Sequence, residues 1–212
     1  MADIFELFKK ISSGEDKKRA PVTHIVAGLG NPGDKYYLTR HNAGFLAMDY
    51  ISQKYGAKID RVKYKSLCGE ATIGGVSVLL MKPQTFMNNS GEAIIEAANF
   101  YKIAPENIII ICDDINLEVA RLRVRRKGSD GGQNGLKSIV NHLGSDAFPR
   151  IRIGVGQKPH PDYDLAAWVL SEFRAEDKEK LFECFGRVCE GLEKVIAGDV
   201  DGAMQICNSA KS

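Results

Sequence analysis

The 212 residues are 44% apolar, enough to bury one substantial core and too few for two comfortable domains. With 29 Lys and Arg against 27 Asp and Glu the net charge is only +2, so overall charge announces neither a nucleic acid nor a membrane surface, and local distribution has to decide. Cys68, Cys112, Cys184, Cys189 and Cys207 are scattered without a C-x-x-C pair and read as free thiols of a reducing cytoplasm, while no apolar run is long enough to span a membrane and no secretory signal opens the chain.

Residues 1–20 read as an N-terminal extension, a short amphipathic helix with Ile4, Leu7, Phe8 and Ile11 on one face followed by a polar linker from Ser12 to Lys18. The folded domain, residues 21–212, is expected to begin with a strand at His24-Ile25-Val26-Ala27 that runs into Gly28-Leu29-Gly30-Asn31-Pro32-Gly33. A helix follows from about Asn42, with Leu46, Tyr50 and Ile51 pointing inward. Strand-like residues from Leu67 to Ile73 and from Val76 to Met81 flank Gly74-Gly75, a pair suited to the positive φ angles of a two-residue hairpin turn.

Asn89 three residues before Glu92 predicts a capped helix to about Tyr101, with Ile94, Ile95, Ala98 and Tyr101 on its apolar side. The run Ile108-Ile109-Ile110-Ile111 is that of a strand covered on both faces, and it places Asp113 and Asp114 at its C-terminal end, where open α/β sheets bind ligands. Strict alternation in Arg121-Leu122-Arg123-Val124-Arg125, repeated in Arg150-Ile151-Arg152-Ile153, predicts strands with a basic face and an apolar face. Between them a glycine-rich loop, Gly128 to Gly135, leads into a helix carrying Leu136, Ile139, Val140 and Leu143. A last amphipathic helix runs from Glu176 to about Ala197 through Leu181, Phe185, Val188, Leu192 and Val195. Alternating helices and short apolar strands make the expected fold α/β, a single-domain sandwich with a central mixed, mostly parallel sheet flanked by helices.

Gly28 to Gly33 matches G-x-G-x-x-G, yet a dinucleotide site requires the last glycine inside an opening helix and an acid about 20 positions on at a strand end. Pro32-Gly33-Asp34 reads as a turn and Asp49 falls within a predicted helix, which argues against a nicotinamide or flavin enzyme. His41 stands just before a helix in an exposed position with no structural duty of its own. Cys112 offers a thiol nucleophile, but successive strand residues face opposite ways, so a strand that aims Asp113 into a pocket turns Cys112 out of it. No G-x-S-x-G elbow and no metal-spaced cluster of His and Cys occurs, so neither cofactor nor metal is expected.

Read in order, Gly28 to Gly33, Thr39-Arg40-His41-Asn42, Thr85 to Gly91 and Gly132-Gln133-Asn134-Gly135-Leu136-Lys137 resemble bacterial-type peptidyl-tRNA hydrolases, and Asp113-Asp114 and Arg150 to Gly154 fit the same pattern from about residue 23 to 200. The resemblance implies hydrolysis of the ester between a peptide and the 3′ end of tRNA, with His41 as general base and Asp113 as the carboxylate that orients it. Asn31, Asn88 and Asn134 match polar pocket positions, with Tyr36, Phe86 and Met87 as neighbouring walls. Arg125 and Arg152 match a phosphate clamp for the tRNA partner, and Lys137 is a weaker candidate. Three positions depart from the family pattern: Gln133 and Cys112 stand where histidine is frequent, and Asn116 where an acid is frequent. Such an enzyme is expected to be cytoplasmic and monomeric, with no membrane association. The alternative from another class is a non-catalytic RNA-binding scaffold of the same fold, against which the joint presence of His41, Asp113, Asn31 and Asn134 argues.

Overall fold

Apolar β-branched runs form the centre of the molecule, whose computed structural model describes residues 20–209; the expected helix through Ile4, Leu7, Phe8 and Ile11 lies outside the described residues. Strand β1 (His24–Gly28) lies between β4 (Val76–Pro83) and β5 (Ile108–Asp114), and β7 (Arg150–Gly154) flanks β5, all of these pairings being parallel. Antiparallel strands complete both edges, β3 (Ser66–Ile73) and β2 (Arg61–Lys63) beyond β4, and β6 (Leu122–Arg125) beyond β7. The result is one mixed seven-stranded sheet in the order β2-β3-β4-β1-β5-β7-β6, with a parallel centre. Every residue of β5 is buried, as its isoleucine run requires. Gly74 and Gly75 join β3 to β4 with φ of 57° and 81°, the predicted hairpin turn.

Helices cover both faces. On one, α1 (Ala43–Lys54), α5 (Ala175–Ile196) and α6 (Val200–Asn208) close over Val26, Leu80, Ile109 and Ile151; on the other, α2 (Ser90–Tyr101) and α3 (Asn134–Leu143) close over Ile25, Leu79, Ile110 and Phe148. A short helix, α4 (Leu165–Val169), lies at the carboxyl edge of the parallel strands.

Several local expectations change. In α1 the buried side is Ala47, Met48 and Ile51, whereas Leu46 and Tyr50 are half-buried because the sheet takes one flank of the helix and α5 the other, with the Tyr50 ring 5.3 and 6.0 Å from Phe182 and Phe185. Asn89 makes no capping bond, since a 3-10 turn from Met87 to Asn89 runs straight into α2; Ser90 Oγ donates to the Met87 carbonyl instead, and Glu92 pairs with Lys65 at 2.6 Å. Helices α4 and α6 were not expected. For α6 the signal was present in Val200, Ala203 and Cys207 at helical spacing behind Asp199, whose side chain accepts from Gly202 N–H.

The two arginine strands keep Leu122, Val124, Ile151 and Ile153 on one face, as alternation demands. Their other face is not uniformly solvated. Arg150 is 1% exposed, stacks 4.1 Å from the Phe148 ring centroid, and donates to the carbonyls of Gly128, Ser129, Asp146 and Phe148. A guanidinium with five N–H donors can be buried among carbonyls in this way, and here it anchors the start of the glycine-rich loop.

Candidate active site

The carboxyl ends of β1, β4 and β5 meet where the chain passes from one side of β1 to the other, the switch point at which open α/β sheets form crevices. Gly28 and Gly44 allow this meeting to be close. A Cβ on Gly28 would strike the Gly44 carbonyl and Met48, and one on Gly44 would strike the Ile111 carbonyl and the Leu29 backbone. The start of α1 is thereby pressed against the ends of β1 and β5, and His41, in the 3-10 turn Arg40–Asn42 just before it, is carried over Asp113. After Gly33, whose φ is 102°, comes a 3-10 turn and no long helix, while Asp49 in α1 pairs with Lys82 at 2.8 Å; the G-x-G-x-x-G run is thus a turn without dinucleotide geometry.

His41 Nδ1 lies 2.9 Å from Asp113 Oδ2. The expectation of an exposed histidine is corrected, since its side chain is only 12% exposed and that of Asp113 2%. Burial is the largest single influence on the ring and lowers its pKa, but the charge and the hydrogen bond of Asp113 together outweigh it, so the net shift is upward. With Nδ1–H donated to the carboxylate, Nε2 is the basic nitrogen. Cys112, fully buried on the opposite side of the strand among Ile25, Ile110 and Leu136, has its thiol pushed up to about 12, chiefly by burial, and does not line the cavity.

A cavity of about 600 Å³ opens beside the pair. Asn31, Phe86, Met87, Asn88 and Asn134 line it together with His41 and Asp113. Asn31 is 8% exposed and rigidly held: its backbone N–H donates to Asn42 Oδ1 at 2.8 Å, Asn42 Nδ2 returns a bond to its carbonyl at 3.0 Å, and its own Oδ1 accepts from Met87 N–H at 2.9 Å. That leaves the Asn31 Nδ2 group as the donor on the cavity side. Asn88 and Asn134 are exposed, at the rim. Phe86, 53% exposed, has φ 57° and ψ 161°, a conformation that glycine alone adopts without strain. Tyr36 falls outside the lining but supports Phe86 edge to face, with centroids 6.3 Å apart.

Arg152 enters the cavity wall and is not free: Nη1 donates to Asp114 Oδ2 at 3.0 Å and Nη2 to the Asp130 carbonyl at 2.6 Å. In register it faces Arg123, while exposed Arg125 faces buried Arg150 and has no ion-pair partner among the described residues. Lys137 is exposed on α3. Sequence reasoning did not assign Asp114, Asp164 or the α4 residues Leu165 and Val169 to the pocket, although they line it. Only the position of Asp114 at a strand end hinted at this; a five-residue helix has too little periodicity to be read. Among the described residues no cluster of His, Cys, Asp and Glu has the arrangement of a metal site, and no helix is long and apolar enough to cross a membrane.

Comparison with known proteins gives the family of the chain. The profile of the family described as peptidyl-tRNA hydrolase matches residues 25–212. A peptidyl-tRNA hydrolase of Caldicellulosiruptor bescii is 51% identical over 185 residues, 87% of this chain and 96% of the relative, and one of Clostridium botulinum is 49% identical over 188 residues, 89% and 97% of the two chains. The crystal structure of peptidyl-tRNA hydrolase from Acinetobacter baumannii superposes with a TM-score of 0.83 at 33% identity, covering 89% of this chain and 96% of that one. A profile spanning nearly all of the sheet and site, with close relatives along the same length, means that this chain belongs to the peptidyl-tRNA hydrolase family.

Proposed function

We propose that this protein hydrolyses the ester linking a peptide to the 3′ end of tRNA, returning free tRNA to translation, with His41 as general base oriented by Asp113. The observation that carries the mechanism is the 2.9 Å contact between His41 Nδ1 and Asp113 Oδ2 at the wall of the cavity. Asp113 holds the Nδ1–H tautomer and compensates the positive charge that forms on the ring. His41 Nε2 takes a proton from water while the water oxygen adds to the ester carbonyl; collapse of the tetrahedral adduct expels the ribose oxygen, which recovers that proton from the imidazolium. No side-chain nucleophile is consumed.

Asparagines suit the remaining work because an amide donates to a developing oxyanion without adding a charge that would depress His41. Asn31 is the best pre-organised donor, its amide being locked by Met87 N–H. Asn88 and Asn134 at the rim would engage the peptide amide, which a free cationic aminoacyl amine cannot mimic, so that aminoacyl-tRNA is spared. Phe86, backed by Tyr36, and Met87 form the apolar wall. For the tRNA body, Arg125 would contribute a guanidinium without an ion-pair partner among the described residues and Arg152 the donors left over by Asp114 and the loop, as a clamp on one phosphate. We take the enzyme to act as a cytoplasmic monomer, with residues 1–20 as an extension dispensable for hydrolysis.

Turnover of an N-acetylated aminoacyl-tRNA tests the proposal. His41→Ala should lower kcat by on the order of a hundredfold or more while tRNA affinity stays nearly unchanged. Asp113→Asn should also lower kcat, since the amide can bond the ring but cannot balance its charge. Absence of turnover by the wild-type protein would leave an RNA-binding scaffold, and unchanged turnover by His41→Ala would remove that residue from the chemistry.

A further inference from the structure

The carboxamide of Gln133 is held at both ends. As N-cap of α3, its Oε1 accepts from Leu136 N–H at 2.8 Å, while Nε2 donates to Asp113 Oδ1 at 2.9 Å and lies 3.1 Å from Met87 Sδ. The orientation is forced. Turning the amide over would set oxygen against carboxylate oxygen and NH2 against N–H, in a site where Gln133 and Asp113 are 8% and 2% exposed. With Oδ1 occupied in this way, Oδ2 is the carboxylate oxygen left to the ring of His41.

We propose that Gln133 is a positioning residue for the hydrolytic pair: acting through Asp113 it sets the direction and the basicity of His41, and as an amide it does so without an ionisation of its own. The inference rests on His41 being the base. Other charges near the ring are already committed. Asp114 is paired with Arg152 at 3.0 Å, and Asp164 spends its two oxygens on Ala166 and Ala167 N–H at 3.2 Å each. Arg40 is turned onto Trp168, Asp49 of α1 onto Lys82, and Cys112 lies across the strand. Among the described residues Asp113 is therefore the carboxylate whose charge reaches the ring, and the Gln133 N–H, by taking up part of that charge, moderates how strongly the ring holds its proton.

The experiment is the pH profile of kcat and kcat/KM on N-acetylated aminoacyl-tRNA for the full-length wild type and for Gln133→Met, Gln133→Glu and Gln133→His, with thermal unfolding of each. Methionine removes both bonds at similar volume. Glutamate keeps the acceptor that caps α3 and replaces the amide donor by an acid, which separates capping from positioning. For both, the acid limb should move to higher pH by about half a unit or more, and the plateau of kcat should fall by roughly ten- to a hundredfold as the ring loses its alignment. Histidine restores a donor to Asp113 and with it most of the plateau, but adds a second ionisation that steepens the acid limb. Profiles that superimpose on the wild type for all three variants, with only the melting temperature of Gln133→Met lowered, would reduce Gln133 to a helix cap and overturn the proposal. His41→Ala is run alongside: if it retains the wild-type acid limb, the base lies elsewhere and the proposal fails for that separate reason.

Discussion

The guanidinium of Arg40 lies 3.7 Å from the centroid of the Trp168 ring, which couples the turn that carries His41 to the helix that walls the cavity. Arg40 is 3% exposed and has no carboxylate partner within ion-pair distance among the described residues; it donates instead to Ser171 Oγ at 2.7 Å and to the Glu172 carbonyl at 2.5 Å. Thr39 and Glu172 form a β-bridge, and Trp168 Nε1 donates to the Gly156 carbonyl at 2.9 Å. The planar, delocalised ion is what makes such a stack tolerable in a buried place.

Arg40→Lys should therefore behave as a severe substitution. An ammonium cannot stack on Trp168 and reach both oxygens, so stability should fall by about 1–3 kcal/mol in urea unfolding, and kcat should fall as the His41 turn loosens. A variant with wild-type stability and kcat would show that the two segments are not coupled.

Phe86 separates stability from substrate binding. Phe86→Gly relieves a backbone strain on the order of 1–3 kcal/mol, whereas Phe86→Ala keeps the strain and loses the same ring. Glycine should consequently melt higher than alanine, while both raise KM because the wall against Tyr36 is gone. Equal melting temperatures would mean that the loop relaxes in solution, and an unchanged KM would take the ring out of the substrate site.

The pair His41 and Asp113 makes opposite demands on pH. Because the folded pKa of His41 is raised, its contribution to stability is complete below the unfolded value of about 6.5 and is lost as pH rises through the folded value. With His41 as the proposed base, activity should require the neutral ring and rise over the same window. The melting-temperature advantage of wild type over His41→Asn should therefore shrink with increasing pH while kcat/KM grows. His24, whose pKa burial lowers, titrates in both proteins and cancels in the difference. An advantage that is flat or grows toward alkaline pH would contradict the ion pair.

For the basic residues, Arg125→Ala should weaken tRNA binding by roughly 1–3 kcal/mol and flatten its salt dependence, with no effect on a short substrate carrying only the 3′ terminal nucleotide and its peptide. Arg152→Ala should lose binding as well, and in addition some kcat on both substrates, since it also releases Asp114 and the Asp130 carbonyl of the loop before Gln133. Equal salt slopes for Arg125→Ala and wild type would show that no phosphate contact had been lost.

Much of the architecture was legible because its signals are local. The isoleucine run of β5, the Gly74-Gly75 turn and the alternating arginine strands each depend on backbone geometry within a few residues, and each appears where expected. The motif order likewise singled out His41, Asp113 and Asn31, which the fold brings to the wall of one cavity. Burial was less legible. His41 reads as exposed in a polar tetrapeptide, yet it is covered because Gly28 and Gly44 let α1 approach the strand ends, a contact between segments 16 residues apart in the numbering.

Alternation along a strand assigns faces but not what lies on them, so Arg150 and Arg152 look equivalent in sequence. In the fold one is enclosed by carbonyls of the glycine-rich loop and the other is paired with Asp114. Gln133 looks like a lost ionisable group when read in its motif, and its actual duty, holding Asp113 from α3, exists only because β5 and the start of that helix converge. Periodicity and turn chemistry are properties of the chain over a few residues and survive in its order. Which donor meets which acceptor depends on segments brought together from distant positions, and that pairing arises only when the sheet has closed.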